Sequence, residues 1–214
     1  CGEVWNISAA GGSRVEDVHR RNVEAGSDIL ITNTFGANRI KLEHYGSSDR
    51  LIEINTNAVR LARNAAGGRA MVAGDIGPTG EILEQWGGKR PADEMLEAFR
   101  EQAAALEAAG VDLFALETFM DIEEIKLALR AVRSVSVKPV LASMSFQPGP
   151  AGIRTMWGLA PEEVADELDS AGADIVGSNC GVTTAVMVEV IKGLARGTKR
   201  PLAAQPNAGS PSIV

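Results

Sequence analysis

Cys180 ends the apolar run of "DIVGSNCGVT" (174–183), and the 214-residue sequence holds one other cysteine, Cys1. A thiol at the end of a strand has two chemical uses. As a nucleophile it wants a basic partner, and both histidines, His19 and His44, fall in helical or helix-loop segments away from strand ends. As a metal ligand it needs no base, because the cation stabilises the thiolate, but a zinc site takes three or four ligands. Chemically capable residues stand at five further strand ends: Thr32-Asn33-Thr34, Asp75, Glu117-Thr118, Ser143 with Ser145, and Asn207. Any one of them reads equally well as a helix cap or the start of a polar loop. Six strands that all turn polar at the same end point to a shared mouth.

The elements that would position these residues follow from a repeat. "EAGSDILITNTF" (24–35), "AAGVDLFALETF" (108–119) and "SAGADIVGSNCG" (170–181) share a helix end, Ala-Gly, one residue, Asp and an apolar strand. Gly26, Gly110 and Gly172 suit the left-handed position just past a helix, and the apolar runs suit strands buried on both faces. Further strands are expected in "AMVAGDIG" (70–77), "KPVLASMSF" (138–146) and "RPLAAQPNAG" (200–209). Helical patterns occupy about 14–25, 50–66, 92–109, 121–134, 161–171 and 184–196, with starts marked by Ser13, Asp93, Asp121 and Pro161. The alternation carries no hairpin signal, so an all-parallel α/β sheet is expected. Because no G-x-G-x-x-G follows any strand, a barrel is favoured over an open dinucleotide-binding sheet.

Composition narrows the partners. The net charge is −7 and the basic residues are scattered, which argues against nucleic acid and against an anionic membrane surface. No apolar run reaches the roughly 20 residues that span a bilayer. Two distant cysteines make no disulfide framework, so a reducing, cytoplasmic setting is expected.

"ILITNTFGANR", "VAGDIGPTGE", "LFALETFMDIEE", "GSNCGVT" and "AQPNAG", in this order and spacing, resemble the homocysteine S-methyltransferase (homocysteine-binding domain) family, which includes the N-terminal module of cobalamin-dependent methionine synthase and betaine-homocysteine methyltransferase. The resemblance covers essentially the whole chain and implies a (β/α)8 TIM barrel. Residues 1–214 would form one such domain, incomplete at both ends and lacking the first and last strands. The family holds zinc through one cysteine after the sixth strand and a Cys-Cys pair after the eighth. Cys180 matches the first ligand, and Cys1, ahead of a helix, is a poor substitute for the pair. By the same resemblance Glu117 faces the amino group of homocysteine, Thr32 contacts its amino-acid end, and Asn207 lies near the metal. Asp121 reads as a helix cap and Asp75 as a loop anchor.

The implied chemistry is transfer of a methyl group to the thiol of homocysteine, giving methionine, with a zinc-bound thiolate as nucleophile. Methylcobalamin, a corrinoid protein, a betaine or S-methylmethionine could each be the donor, and attached folate or cobalamin domains could supply it. The Gly- and Pro-rich segment 77–91 reads as a loop that covers substrate or docks the methyl donor, or else as a solvated loop. Trp157 reads first as an aromatic anchoring its own loop, with a Met156-Trp157 patch for a corrinoid partner as the alternative. Two other functions fit less closely. One is a catalytically incomplete barrel that docks a corrinoid or folate methyl carrier. The other is a barrel aldolase, for which the sequence shows no lysine at a strand end.

Overall fold

Six strands lie parallel in the order β1-β2-β3-β4-β7-β8, each joined to the next by a helix-bearing crossover. They are β1 (Ile29–Ile31), β2 (Met71–Ile76), β3 (Leu113–Phe119), β4 (Val140–Met144), β7 (Ile175–Asn179) and β8 (Leu202–Gln205). The helices are α1 (Ala9–Glu24), α2 (Arg39–Glu43), α3 (Leu51–Ala66), α4 (Ala92–Ala109), α5 (Ile122–Val135), α6 (Pro161–Ser170) and α7 (Thr184–Gly197). This computed structural model describes residues 2–207. Cys1 and the stretch 208–214 lie outside the described residues.

The sheet has two unlike faces because side chains alternate along a strand. Leu30, Val72, Phe114, Leu116, Val140, Ala142 and Val176 point outward and pack under the helices against Ile125, Leu129, Val164, Leu168 and Leu194. Phe114 is completely buried there, worth about 2–3 kcal/mol over exposure. The opposite parity lines a concave inner face. Ala73, Leu113 and Ala115 form its buried floor, with Ile31 and Leu141 packed beside them. The sheet curls strongly, since β3 and β7 approach each other closely with β4 between them. It is therefore an open, half-barrel α/β sheet, and among the described residues β1 and β8 each pair on one side only.

The repeated aspartates staple the floor end. In the second copy the Asp112 carboxylate accepts the Val72 N–H at 2.7 Å, and Arg63, in the last turn of α3, donates to Asp112 at 2.7 Å and to the Gly110 carbonyl. In the third, Asp174 accepts the Val140 N–H at 2.8 Å while Arg133, from the end of α5, reaches Asp174 at 2.5 Å and the Gly172 carbonyl at 2.8 Å. Each aspartate thus ties its own strand to the preceding strand and helix. The Arg63 hydrogen bond holds the Asp112 carboxyl below its usual range. Burial works against Asp174, yet Arg133 and the Val140 N–H keep it low as well.

All six expected strands are present, and Gly26, Gly110 and Gly172 have φ of 95°, 88° and 94°. Asp121 caps α5 through the Glu123 N–H at 2.9 Å, and Pro161 opens α6. Three expectations need correction. Ser8, not Ser13, caps α1 by accepting the Gly11 N–H at 3.1 Å, so the helix starts five residues early. Asp93 sits within the first turn of α4, behind a Pro91 cap that supplies no side-chain bond. A hairpin does exist: β5 (Gln147–Gly149) and β6 (Gly152–Arg154) pair antiparallel above β4.

Candidate functional site

The inner face changes chemistry along its length. Above the apolar floor, the next inward positions are Asp75 on β2, Glu117 on β3, Ser143 on β4, Asn179 on β7 and Gln205 on β8, all toward the C-terminal ends. In parallel α/β sheets that end carries ligands, because the βα turns leave side chains and backbone free to converge there.

Asn179 organises one side of the rim. Its Oδ1 accepts the Thr118 N–H at 2.8 Å and the Ser143 hydroxyl at 2.7 Å. Its Nδ2 donates to Thr118 Oγ1 at 2.6 Å and lies 3.4 Å from the Cys180 Sγ. Ser145 donates to the Asn179 carbonyl at 3.0 Å. The two residues tied by this amide, Thr118 at φ 64° and Cys180 at φ 57°, are the non-glycine residues with left-handed backbone among those described. For a β-branched threonine this is a strained geometry, of order 1–2 kcal/mol. The left-handed backbone at Cys180 turns it out of line with β7. Its N–H still bonds the Gln205 carbonyl at 3.1 Å, but its thiol is exposed at the rim. Gly181 follows at φ 72°, where an added Cβ would stand 3.1 Å from the Phe146 carbonyl.

The other side of the rim is acidic. Asp75 is 4% exposed, and its backbone leans on two threonines: Thr32 Oγ1 accepts the Asp75 N–H at 3.0 Å, and Thr34 Oγ1 donates to the Asp75 carbonyl at 2.7 Å. Since the Thr34 proton is committed, Thr32 is the donor in the 2.7 Å contact between the two hydroxyls. Gln102 from α4 adds bonds to the Thr34 and Asp75 carbonyls at 2.8 and 3.2 Å. Burial pushes the Asp75 carboxyl well above the usual carboxylate range, and Glu117 and Glu3 push it the same way. Burial also raises Glu117, partly offset by a hydrogen bond from Gln205. The Asp75 Oδ1 is buried with no hydrogen-bond partner, so Asp75 is not the loop anchor that its sequence position suggests.

Two βα loops rise beside this rim. Thr79 donates its N–H and hydroxyl to the buried Glu124 carboxylate at 2.8 and 2.7 Å, which pins the start of segment 77–91 to α5. Trp86, in the same segment, stacks on Trp157 above the β5-β6 hairpin with ring centroids 5.5 Å apart. Its side chain also hydrogen-bonds Asp121. Met156 and Trp157 remain exposed.

The residues expected at the mouth are therefore brought to one rim, with differing freedom. Glu117 is half-buried on the inner face. Thr32 is buried with its proton committed. Asn207 is exposed, and its N–H donates to the Val182 carbonyl at 3.3 Å, which sets it beside the Cys180 turn. Asn179 and Gln205 carry more of the geometry than sequence reasoning gave them. The signal available for both was strand parity with neighbouring inner-face positions.

As a metal site the rim is incomplete. A soft, exposed thiol among polar groups suits one zinc ligand, yet among the described residues no three His, Cys, Asp or Glu side chains cluster to hold a metal. These residues do not by themselves fit a zinc ion. Lys126 lies on α5, Lys192 on α7, and Lys138 and Lys199 precede β4 and β8, so none of these four lysines stands at the C-terminal end of a strand where a barrel aldolase places its Schiff base.

Comparison with known proteins places this rim in context. A family model described as homocysteine S-methyltransferase matches residues 1–213. Betaine–homocysteine S-methyltransferase 1 of Sus scrofa is 34% identical over 204 residues, covering 91% of this chain and 70% of that protein. The Danio rerio protein of the same name is 35% identical over 82% of this chain, and the chain spans 43% of its length. Methionine synthase of Mycobacterium tuberculosis is 29% identical across the whole chain, which spans 18% of that protein. Among solved structures, the metallated homocysteine methyltransferase MmuM of Escherichia coli superposes with a TM-score of 0.79 at 20% identity, over 94% of this chain and 77% of that one.

Proposed function

The chain belongs to the homocysteine S-methyltransferase family, and on that footing we propose that it forms most of a (β/α)8 barrel that transfers a methyl group to the thiol of homocysteine, giving methionine. The observation that carries this reading is the Cys180 thiol, turned out at the rim by a left-handed backbone and held against the Asn179 amide. A zinc ion bound in part by Cys180 would lower the pKa of a substrate thiol and so supply a thiolate at neutral pH. Two more thiolate ligands would have to come from outside residues 1–214, and a reducing cytoplasm would keep all three unoxidised.

The residues of this chain then divide the remaining work. Asn179 fixes the direction of the Cys180 side chain, and the Thr118 and Ser143 bonds keep that amide from rotating. Glu117 faces the amino group of the amino acid, a carboxylate placed for an ammonium. Thr32 sets the height of β2 and offers its remaining lone pair toward the amino-acid end. Asn207 closes the Cys180 side. The loops carrying Trp86 and Trp157 exclude water and present an apolar platform to the donor, whether a small molecule such as a betaine or methylcobalamin on an attached domain or a separate corrinoid protein.

The test supplies full-length protein with L-homocysteine and, in turn, methylcobalamin, glycine betaine and S-methylmethionine. Mass spectrometry should detect methionine with at least one donor. No methionine with any of them, together with no measurable homocysteine binding, would overturn the reading.

A further inference from the structure

The end of β3 is irregular in a way that its own residues do not favour. Leu116 pairs with Ala142 and Phe119 with Met144, so three steps along β3 face two along β4, a β-bulge that falls at Glu117-Thr118. In a regular strand side chains alternate, which would send Phe119 to the inner face with Ala115 and Glu117. The bulge returns Phe119 to the outer core, fully buried with its ring centroid 5.9 Å from that of Phe99, and leaves Glu117 and Thr118 together at the rim. Thr118 takes φ 64° to do so, a conformation that a β-branched side chain disfavours. The restraint comes from two strands away. Asn179 on β7 accepts the Thr118 N–H on Oδ1 at 2.8 Å and donates from Nδ2 to Thr118 Oγ1 at 2.6 Å, while Ser143 on the intervening β4 donates to the same Oδ1 at 2.7 Å. That Nδ2 also lies 3.4 Å from the Cys180 Sγ. Asn179 is buried, so water does not compete for these bonds.

We propose that Asn179 is a positioning residue for both halves of the site: Oδ1 holds the β3 bulge that aims Glu117, and Nδ2 steers the Cys180 thiol, so a single amide sets carboxylate and sulfur relative to each other. This rests on the reading that Glu117 receives the amino group of an amino acid. The two roles separate chemically. Aspartate at this position keeps an acceptor for the Thr118 N–H and for Ser143, and the Thr118 hydroxyl can donate to its second oxygen, so the bulge survives. Nothing on that side chain then donates to sulfur, and a negative charge stands beside the thiol instead. Alanine removes both roles.

The experiment measures binding of L-2-aminobutyrate and L-homocysteine to the full-length protein by calorimetry. The first ligand reads the Glu117 half, and the advantage of homocysteine over it reads the thiol half. Asn179→Asp should bind aminobutyrate at least as tightly as wild type and lose about 10-fold of the homocysteine advantage. Asn179→Ala should lose about 10-fold on aminobutyrate and a further 10-fold or so on the advantage. General damage would not spare one ligand in the aspartate variant, so the split isolates positioning, and that variant alone decides if the alanine variant does not fold. An alanine variant that folds and binds aminobutyrate like wild type overturns the Glu117 half, and an aspartate variant that keeps the full homocysteine advantage overturns the Cys180 half. Wild type that binds neither ligand overturns the amino-acid reading instead. The bulge is then read from a crystal structure of Asn179→Ala: Thr118 leaving the left-handed region supports the proposal, and Thr118 keeping its positive φ overturns it.

Discussion

The two ends of the half-barrel are built on opposite rules. At the floor end, Asp112 and Asp174 have every reason to be ionised: each accepts a backbone N–H and an arginine, and both carboxyls are held low. At the rim, Asp75 and Glu117 pair with no cation among the described residues and are pushed up by burial, Thr118 and Cys180 are in left-handed backbone, and the buried Asp75 Oδ1 and Gln205 Oε1 stand unpaired. The same residue type, aspartate at the end of a parallel strand, is satisfied where strands begin and starved where β2 ends. The floor end is where charges and donors agree, and the unsatisfied groups are gathered at the opposite end.

The largest expected effect breaks this contrast at its functional pole. Cys180→Ser should lower methyl transfer at least about 1,000-fold, as loss of a metal ligand does, and shift Tm by less than about 2 °C because the side chain is exposed. Asn179→Ala comes next. It strands the Thr118 N–H and the Ser143 hydroxyl, so chemical denaturation should show a loss of about 2–3 kcal/mol, with transfer down about tenfold or more. At the opposite end Asp174→Ala removes the acceptor of Val140 and the partner of Arg133. The Arg133–Asp174 pair is partly exposed, so the cost should be about 1–2 kcal/mol, with kcat at 25 °C unchanged. Thr118→Gly should instead stabilise by up to about 1 kcal/mol by relieving the positive φ, and reduce transfer by loosening the rim.

The smallest effect sharpens the comparison through pH. Asp75 has a folded pKa above its unfolded value of about 3.9, so its contribution to stability is complete below that value and declines as pH rises toward the folded pKa. Asp112 and Asp174 have folded values below the unfolded one, so their contribution is complete above it and declines as pH falls through the folded pKa. The Tm difference between Asp75→Asn and wild type should accordingly be near zero at about pH 4 and grow in favour of the variant toward pH 7. A difference that is flat over this range would contradict the burial of an unpaired carboxyl.

This contrast was half legible in the sequence. The repeat of Ala-Gly, one residue and Asp marked three strands and their left-handed glycines, because local backbone demands fix those residue types. It did not reveal the arginines, since Arg63 and Arg133 lie 49 and 41 residues from their aspartates. The polar strand ends marked the rim. The division of labour within it stayed hidden: that Thr32 serves β2, and that the Asp75 Oδ1 has no partner among the described residues, depends on neighbours that only pairing of distant strands brings together. The β5-β6 hairpin escaped because Pro148, Gly149 and Gly152 depress strand propensity, and α2 because five residues carry too little periodicity.

The most direct test of the Cys180 rim is zinc per chain, measured by plasma mass spectrometry on purified full-length protein and its Cys180→Ser variant, each with and without L-homocysteine. Wild type should hold about one zinc and retain it with substrate, and the variant should hold almost none. A variant that keeps the metal, or a wild type that binds homocysteine with no zinc, would contradict the account.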